Sequence, residues 1–439
     1  MSEIETGGAS TGATALFTDA RTCREWLNAL PLANIPGAQV KALEAMRELN
    51  ASAAFAPLER LKCLELMRDK VAFLQGEQRA RYFGKTLPLS PADASSWATG
   101  RNLLQALEAG YRQCLAACPT NAEVGAHAVL IEQRIMRYLG AQMLFHASVY
   151  RRFEPELWTR AHELYQQVEA DGTAEERVKD SVEGEDGVSS VAESYIQLVL
   201  MQAAYLSELT APEMDFVGAL TRMWTKKIRI LREVPEGAEG ILPFAVDLAR
   251  PLGARPLAVA DKQDSHRIFD VTELAKSVRR RIHALKNDED PATLGLPPEA
   301  SALDCLHQLT RLSRLWCEGA PPRPPAKVPP EKQVGLIFGF TEIHFFLSAG
   351  KAFEQPDKKR ELSAREKDDI AMFGRVREAT QSAMKVEVSY TVEKWGVVDE
   401  MLGAWRLLRP ANAAKGVTIG RVVAMRLADT APFLLGMVS

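Results

Sequence analysis

Six prolines fall between Gly319 and Pro330, in the run GAPPRPPAKVPP. Each proline removes a backbone donor and fixes φ, so the run can be neither helix interior nor central strand, and it reads as a stiff extended linker. The hydrophobic period differs on its two sides. Before it, apolar residues recur every three to four positions, and after it they alternate. A chain punctuated in this way folds as more than one domain, as its 439 residues also favour.

On the N-terminal side, Leu58, Leu61, Leu64, Met67, Val71 and Leu74 follow Pro57 at helical spacing. Proline suits the first turn of a helix, where its missing N–H has no intrahelical role. Leu103, Leu107, Tyr111, Cys114 and Cys118 form a second such run, and Ile131, Ile135 and Tyr138 a third. Several antiparallel helices are expected. Thr210-Ala-Pro-Glu213 has the spacing of a capping box ahead of Met214, Val217, Leu220 and Trp224, and Asp270-Val-Thr-Glu273 is expected to cap a further helix. The acidic stretch from Glu169 to Ser190 breaks the period and reads as a mobile loop too polar to pack. From Leu242 to Phe269 the pattern loosens, with four prolines among short apolar runs.

On the C-terminal side, Met384 to Glu393 puts Val386, Val388, Tyr390 and Val392 on one face and polar residues on the other, which is a strand pattern. Trp405–Leu408, Val417–Leu427 and Pro432–Val438 are further strand candidates. A charged insertion at 348–382 is expected to be partly helical. The resulting expectation is an α+β protein, with a tail at 1–16, a helical region at 17–235, a mixed connecting region with the proline linker at 236–330, and a small antiparallel β-barrel at 331–439. Phe433 to Ser439 reads as a strand in progress, so a barrel truncated at its C-terminus is also expected.

Composition narrows the function. Fifty-four basic and 57 acidic residues leave a formal charge of −3, which argues against a general nucleic-acid or membrane-surface binder. The longest apolar stretches fall short of the roughly 20 residues that span a bilayer. The start lacks the basic and apolar regions of a secretory signal. Six scattered cysteines fit reduced, buried thiols. These features together point to the cytoplasm.

Sequence-readable catalytic devices are missing. Gly8-Ala-Ser-Thr-Gly12 matches a nucleophile-elbow pattern without the strand and helix that motif requires. Cys114 and Cys118 lack a second pair that would complete a metal site, and the seven histidines are dispersed. No catalytic residue, metal or cofactor is therefore assigned, and the expectation is a protein that is not an enzyme. Lys276, Arg279, Arg280 and His283 share a helical face with Arg281 alongside, able to hold a phosphate, to meet an acidic partner, or simply to be solvated. Arg323 and Lys327 form a basic pair on the extended linker, suited to gripping phosphate or a guanine edge.

The C-terminal third resembles PilZ domains, small bacterial β-barrels that bind cyclic di-GMP through R-x-x-x-R on a lead-in segment and D/N-x-S-x-x-G on a strand. Arg323-Pro-Pro-Ala-Lys327 is similar to the first motif, with Lys in the second basic position. Asp399-Glu-Met-Leu-Gly-Ala404 stands where the second would fall, with Met401 in place of Ser and Ala404 in place of Gly. The resemblance implies that Arg323 and Lys327 hold phosphates or stack on guanine and that Asp399 accepts a hydrogen bond from a guanine edge. It further implies a non-catalytic cyclic di-GMP effector acting through a protein partner. The alternative is a helical scaffold or interaction protein whose barrel no longer binds nucleotide.

Overall fold

The computed structural model describes residues 16–438 apart from 152, 184–186, 235–239, 258–263, 320–325, 328–330, 352, 354–362, 378–389, 402, 411–412 and 414–415. The chain divides into two compact units, Met1–Pro321 and Pro322–Ser439. It is an α+β protein: a helical first region is followed by antiparallel sheets, the last of them curled into a half-barrel.

The first unit opens with α1 (Ala20–Asn28), α2 (Ile35–Ala51), α3 (Pro57–Gln78), α4 (Pro91–Ala117), α5 (Ala122–Gly125), α6 (Ala128–Ala147) and α7 (Glu156–Asp171). Their starts follow local rules. Asn34 and Ser90 cap α2 and α4 through their side chains, and α2, α3 and α4 carry proline in the first turn, where its lost donor costs nothing. The apolar faces anticipated from the sequence are the buried ones: Leu61, Leu64, Met67, Val71 and Leu74 on α3, and Leu103, Leu107, Tyr111 and Cys114 on α4. The Gly8–Gly12 pattern lies outside the described residues.

The stretch from Glu169 to Ser190 corrects the expectation of an unpacked loop. Helix α7 continues to Asp171, and β1 (Val178–Lys179) pairs antiparallel with β2 (Val188–Ser189). Asp180, Ser189 and Ser190 are buried. Acidic composition failed as a guide because the carboxylate that matters is neutralised by arginines far away in sequence.

Next come α8 (Val191–Ala203) and α9 (Ala211–Trp224). The expected capping box at α9 is present, with the Thr210 N–H donating to Glu213 Oε2 at 2.7 Å. The loose region resolves into a four-stranded antiparallel sheet of β3 (Arg229–Leu231), β4 (Phe244–Asp247), β5 (Arg255–Pro256) and β6 (His266–Asp270), ordered β3-β6-β4-β5. Helices α10 (Thr272–Lys286) and α11 (Ala302–Cys317) follow. Asp270 does not occupy the cap position of α10, which falls on Val271. Its Oδ1 instead accepts from Thr272 N at 3.0 Å and Thr272 Oγ1 at 2.6 Å, so the same carboxylate satisfies a helix-end donor from one residue further out. The anticipated basic face of α10 is also divided: Arg281 is buried, donating to Leu294 O at 2.9 Å and Ser277 Oγ at 2.6 Å. A single apolar core runs from Phe17 to Cys317 and includes Phe244, Phe269, Leu274 and Trp316 together with the earlier helices.

The second unit contains β7 (Ala326–Lys327), β8 (Gln333–Phe338), α12 (Phe340–Leu347), α13 (Ala364–Phe373), β9 (Glu393–Met401), β10 (Ala404–Leu408), β11 (Val422–Arg426) and β12 (Leu434–Met437). Its sheet is ordered β10-β9-β8-β11-β12, and β7 pairs with β9 beyond the end of β8. Val334, Leu336 and Phe338 pack on one face with Trp395, Val397, Val423 and Met425. Ile337 and Ala424 point to the other face, against Ile343 of α12. Strand β8 is covered on both sides, which explains its unbroken apolar run. The alternating segment expected as a strand falls mostly at 384–389, outside the described residues. The described strand begins at Glu393. Among the described residues of the insertion, α13 supplies the expected helix.

Candidate functional site

Asp399 sits on β9 in the buried alternate row that begins with Trp395 and Val397. Period-two geometry therefore delivers a carboxylate to a position that a hydrophobic residue would ordinarily fill. Its cross-strand neighbours explain how it is tolerated. Arg406 on β10 is its register partner, with Nη1 3.2 Å from Asp399 Oδ2. On the opposite edge, Lys327 on β7 is its partner in register. The backbone thus lines up Lys327, Asp399 and Arg406 across three adjacent strands. Asp399 Oδ1 has no hydrogen-bond partner among the described residues. A buried acceptor in that state costs about 1–3 kcal/mol, and a donor arriving from outside the protein would recover it.

Strand geometry shapes the surroundings. The β9/β10 register shifts between Arg406 and Leu407, leaving Val398 without an opposite residue. Such a bulge bends its strand and re-aims neighbouring side chains. Gly403, with φ +78°, turns the chain between the two strands, a conformation that favours glycine. Lys332 Nζ lies 2.6 Å from Glu400 Oε2, and Lys332 O accepts from Val397 N at 2.8 Å. These contacts tie the segment between β7 and β8 along the same edge of β9.

Of the residues singled out in the sequence, Lys327 and Asp399 are brought opposite each other although the charged insertion separates them in the chain. Arg323 lies outside the described residues. Met401 and Ala404 face each other in the register that closes the hairpin. Arg406 was missed. The signal for it was available, because a turn at 402–403 places 406 opposite 399 once one residue is allowed to bulge.

The helical unit holds a second charged constellation. Arg68 on α3 and Arg134 on α6, both buried, meet Asp180 after β1. Arg68 Nη2 is 2.5 Å from Asp180 Oδ1, Arg137 Nη1 is 2.8 Å from Oδ2, and Arg134 Nη1 is 3.6 Å from Oδ2. Arg134 also forks onto Glu65 at 3.0 and 3.1 Å, and Tyr111 donates to Glu65 Oε1 at 2.5 Å. Burial by itself would raise the Asp180 carboxyl, but Arg137, Arg68 and Arg134 together hold it below its ordinary range. Nothing in the local spacing announced this cluster, since Arg68 and Arg134 each follow buried apolar residues on their helices.

No group of three or more His, Cys, Asp or Glu placed to hold a metal ion occurs among the described residues, and none of their helices is long and apolar enough to cross a membrane.

Residues 21–236, just under half of the chain, match the family model described as cyclic-di-GMP receptor FimW, N-terminal domain. The helical unit is similar to a receptor domain. No curated protein and no solved structure matches the chain.

Proposed function

We propose that this chain is a non-catalytic cyclic di-GMP receptor that passes ligand state to a protein partner. The observation that carries this reading is the similarity of residues 21–236 to the N-terminal domain of a cyclic di-GMP receptor. It is supported by the PilZ-like row on the second unit, where Lys327 and Asp399 stand opposite each other. In this reading Arg323 and Lys327 neutralise phosphates. The free Oδ1 of Asp399 accepts from a guanine N–H edge, while Arg406 keeps the other carboxylate oxygen occupied. Both contacts exploit charge-assisted hydrogen bonds, the stronger class.

Met401 and Ala404 depart from the PilZ pattern, so the guanine edge gains no hydroxyl there. One neutral hydrogen bond fewer is worth about 0.5–1.5 kcal/mol, which weakens binding and leaves the phosphate contacts in place.

Isothermal titration of the full chain with cyclic di-GMP tests the reading. Saturable binding is expected, weakened at least tenfold by Lys327→Ala and by Asp399→Asn, with the linear dinucleotide binding less well. No binding by calorimetry or equilibrium dialysis would overturn the receptor reading. Binding that is unaltered by Arg323→Ala, Lys327→Ala and Asp399→Asn would remove the site from β9 and leave the receptor reading intact.

A further inference from the structure

The helical unit encloses a cleft of about 610 Å³ between α6, β2, α8 and α9, within the roughly 300–1,000 Å³ typical of small-molecule sites. Its charge balance is unusual. Arg222 in the last turn of α9 and Lys226 in the short 3₁₀ turn after it both line the cleft. Both are exposed, and neither side chain has an acidic or hydrogen-bonding partner among the described residues. Two like charges four residues apart repel by a few tenths of a kcal/mol. The helix C-terminus favours cations in general but does not require that two of them face one cavity.

The other ionisable groups of the cleft are already satisfied. Arg137 is held by Asp180 at 2.8 Å, and Glu193 by Arg177 at 3.4 Å. After these pairings the lining carries a surplus of two positive charges. Half-buried Gln197 adds an amide with no partner among the described residues, able both to donate and to accept. Ala219 and Met223 give the cleft an apolar wall.

We propose that this cleft binds a nucleotide carrying two negative charges, with Arg222 and Lys226 on its phosphates, Gln197 on a base edge and Met223 against the base ring. The site is separate from the β7–β9 row and stands whether or not that row binds ligand. Arginine and lysine are the usual phosphate partners, and the volume accommodates a nucleotide rather than a bare anion.

The test is titration of the full chain with cyclic di-GMP, guanosine 5′-monophosphate, adenosine 5′-monophosphate and inorganic phosphate as separate probes. At least one nucleotide is expected to bind with an affinity that falls tenfold or more in Arg222→Ala/Lys226→Ala. Ala219→Trp, which fills the cleft without altering its charge, is expected to give a similar loss. Lys327→Ala/Asp399→Asn is expected to leave this binding within twofold. Far-ultraviolet circular dichroism and an unchanged melting temperature confirm that the variants fold. The proposal is overturned if no nucleotide binds, or if binding survives both cleft variants. It is also overturned if inorganic phosphate displaces the nucleotide at equal concentration, which marks an anion site only. If cyclic di-GMP binding disappears in Lys327→Ala/Asp399→Asn but persists in the cleft variants, the receptor reading stands and this one falls. The reverse pattern assigns the ligand to the cleft.

Discussion

Asp180→Asn probes the buried network with almost no change of volume. In the wild type this carboxylate, 1% exposed, faces Arg68, Arg137 and Arg134 and also accepts from Val182 N at 3.1 Å. Removing its charge leaves Arg68, itself 1% exposed, with only Glu65 3.5 Å away. Breaking a buried pair from one side costs about 3–5 kcal/mol, which for a unit of this size corresponds to a loss of roughly 5–15 °C in melting temperature. The cluster also predicts an asymmetry. Three guanidinium groups face two carboxylates, so Arg68→Met removes the surplus charge, together with an Nε that has no partner among the described residues. Arg68→Met should therefore cost less than Asp180→Asn. Because the folded carboxyl lies below its unfolded value of about 3.9, its contribution is fully present above that value and is lost as pH falls through the lower folded one. Asp180→Asn should accordingly flatten the acid limb of the stability curve. Urea unfolding followed by circular dichroism, from pH 7 downward, measures all of this. An Asp180→Asn midpoint within about 0.5 kcal/mol of wild type, or a larger loss in Arg68→Met than in Asp180→Asn, would refute the account.

Other expectations follow from single residues. Burial, with Asp171 and Glu176 nearby, pushes the Glu132 carboxyl up to about 7, so ionising it increasingly destabilises the fold as pH rises from its unfolded value of about 4.3. Glu132→Gln should match wild type near pH 4 and exceed it near pH 8 by on the order of 1–3 kcal/mol, and equal stabilities at both pH values would contradict this. Trp316→Ala removes a fully buried ring that packs edge-on to Trp224 and donates to Leu200 O at 3.0 Å. A loss of about 3–5 kcal/mol is expected in denaturant melts. Thr210→Ala opens the capping box of α9 and should cost about 1 kcal/mol, whereas Ser207→Ala, at an exposed position outside the cap, should leave the melting curve unmoved.

How much of this was legible depended on how local the cause is. Helices α2, α3, α4 and α9 were readable because apolar spacing, first-turn prolines and caps all lie within a few residues of one another. The hairpin β1/β2 was not, because its one deeply buried carboxylate is compensated by Arg68, 112 positions earlier. The sheet β3 to β6 was hidden for a related reason: its strands are two to five residues long, too short for alternation to stand out among prolines. On the second unit, Lys327 and Asp399 were identifiable by motif, and the strand register that opposes them was not. Arg406 belongs to the register alone. The surplus charge of Arg222 and Lys226 was visible as a spacing, but a spacing carries no information about whether a carboxylate from elsewhere answers it.

The way α11 is seated has a practical meaning for anyone dissecting this chain. Trp316 reaches Leu200 of α8, Arg311 donates to Ala204 O at 3.0 Å, and Gln308 bonds to Glu213 at the start of α9. Arg281 of α10 lies over Trp224, and β3 pairs with β6. All of these partners lie downstream of residue 236, where the family match stops. The stretch that is recognisable by descent is thus shorter than the stretch that closes a core. A fragment ended at that border would bare the indole of Trp224 and one flank of α8 to solvent, inviting aggregation, whereas an expression boundary set after Cys317 keeps both covered. During synthesis the same geometry delays completion of the first unit until α11 has left the ribosome.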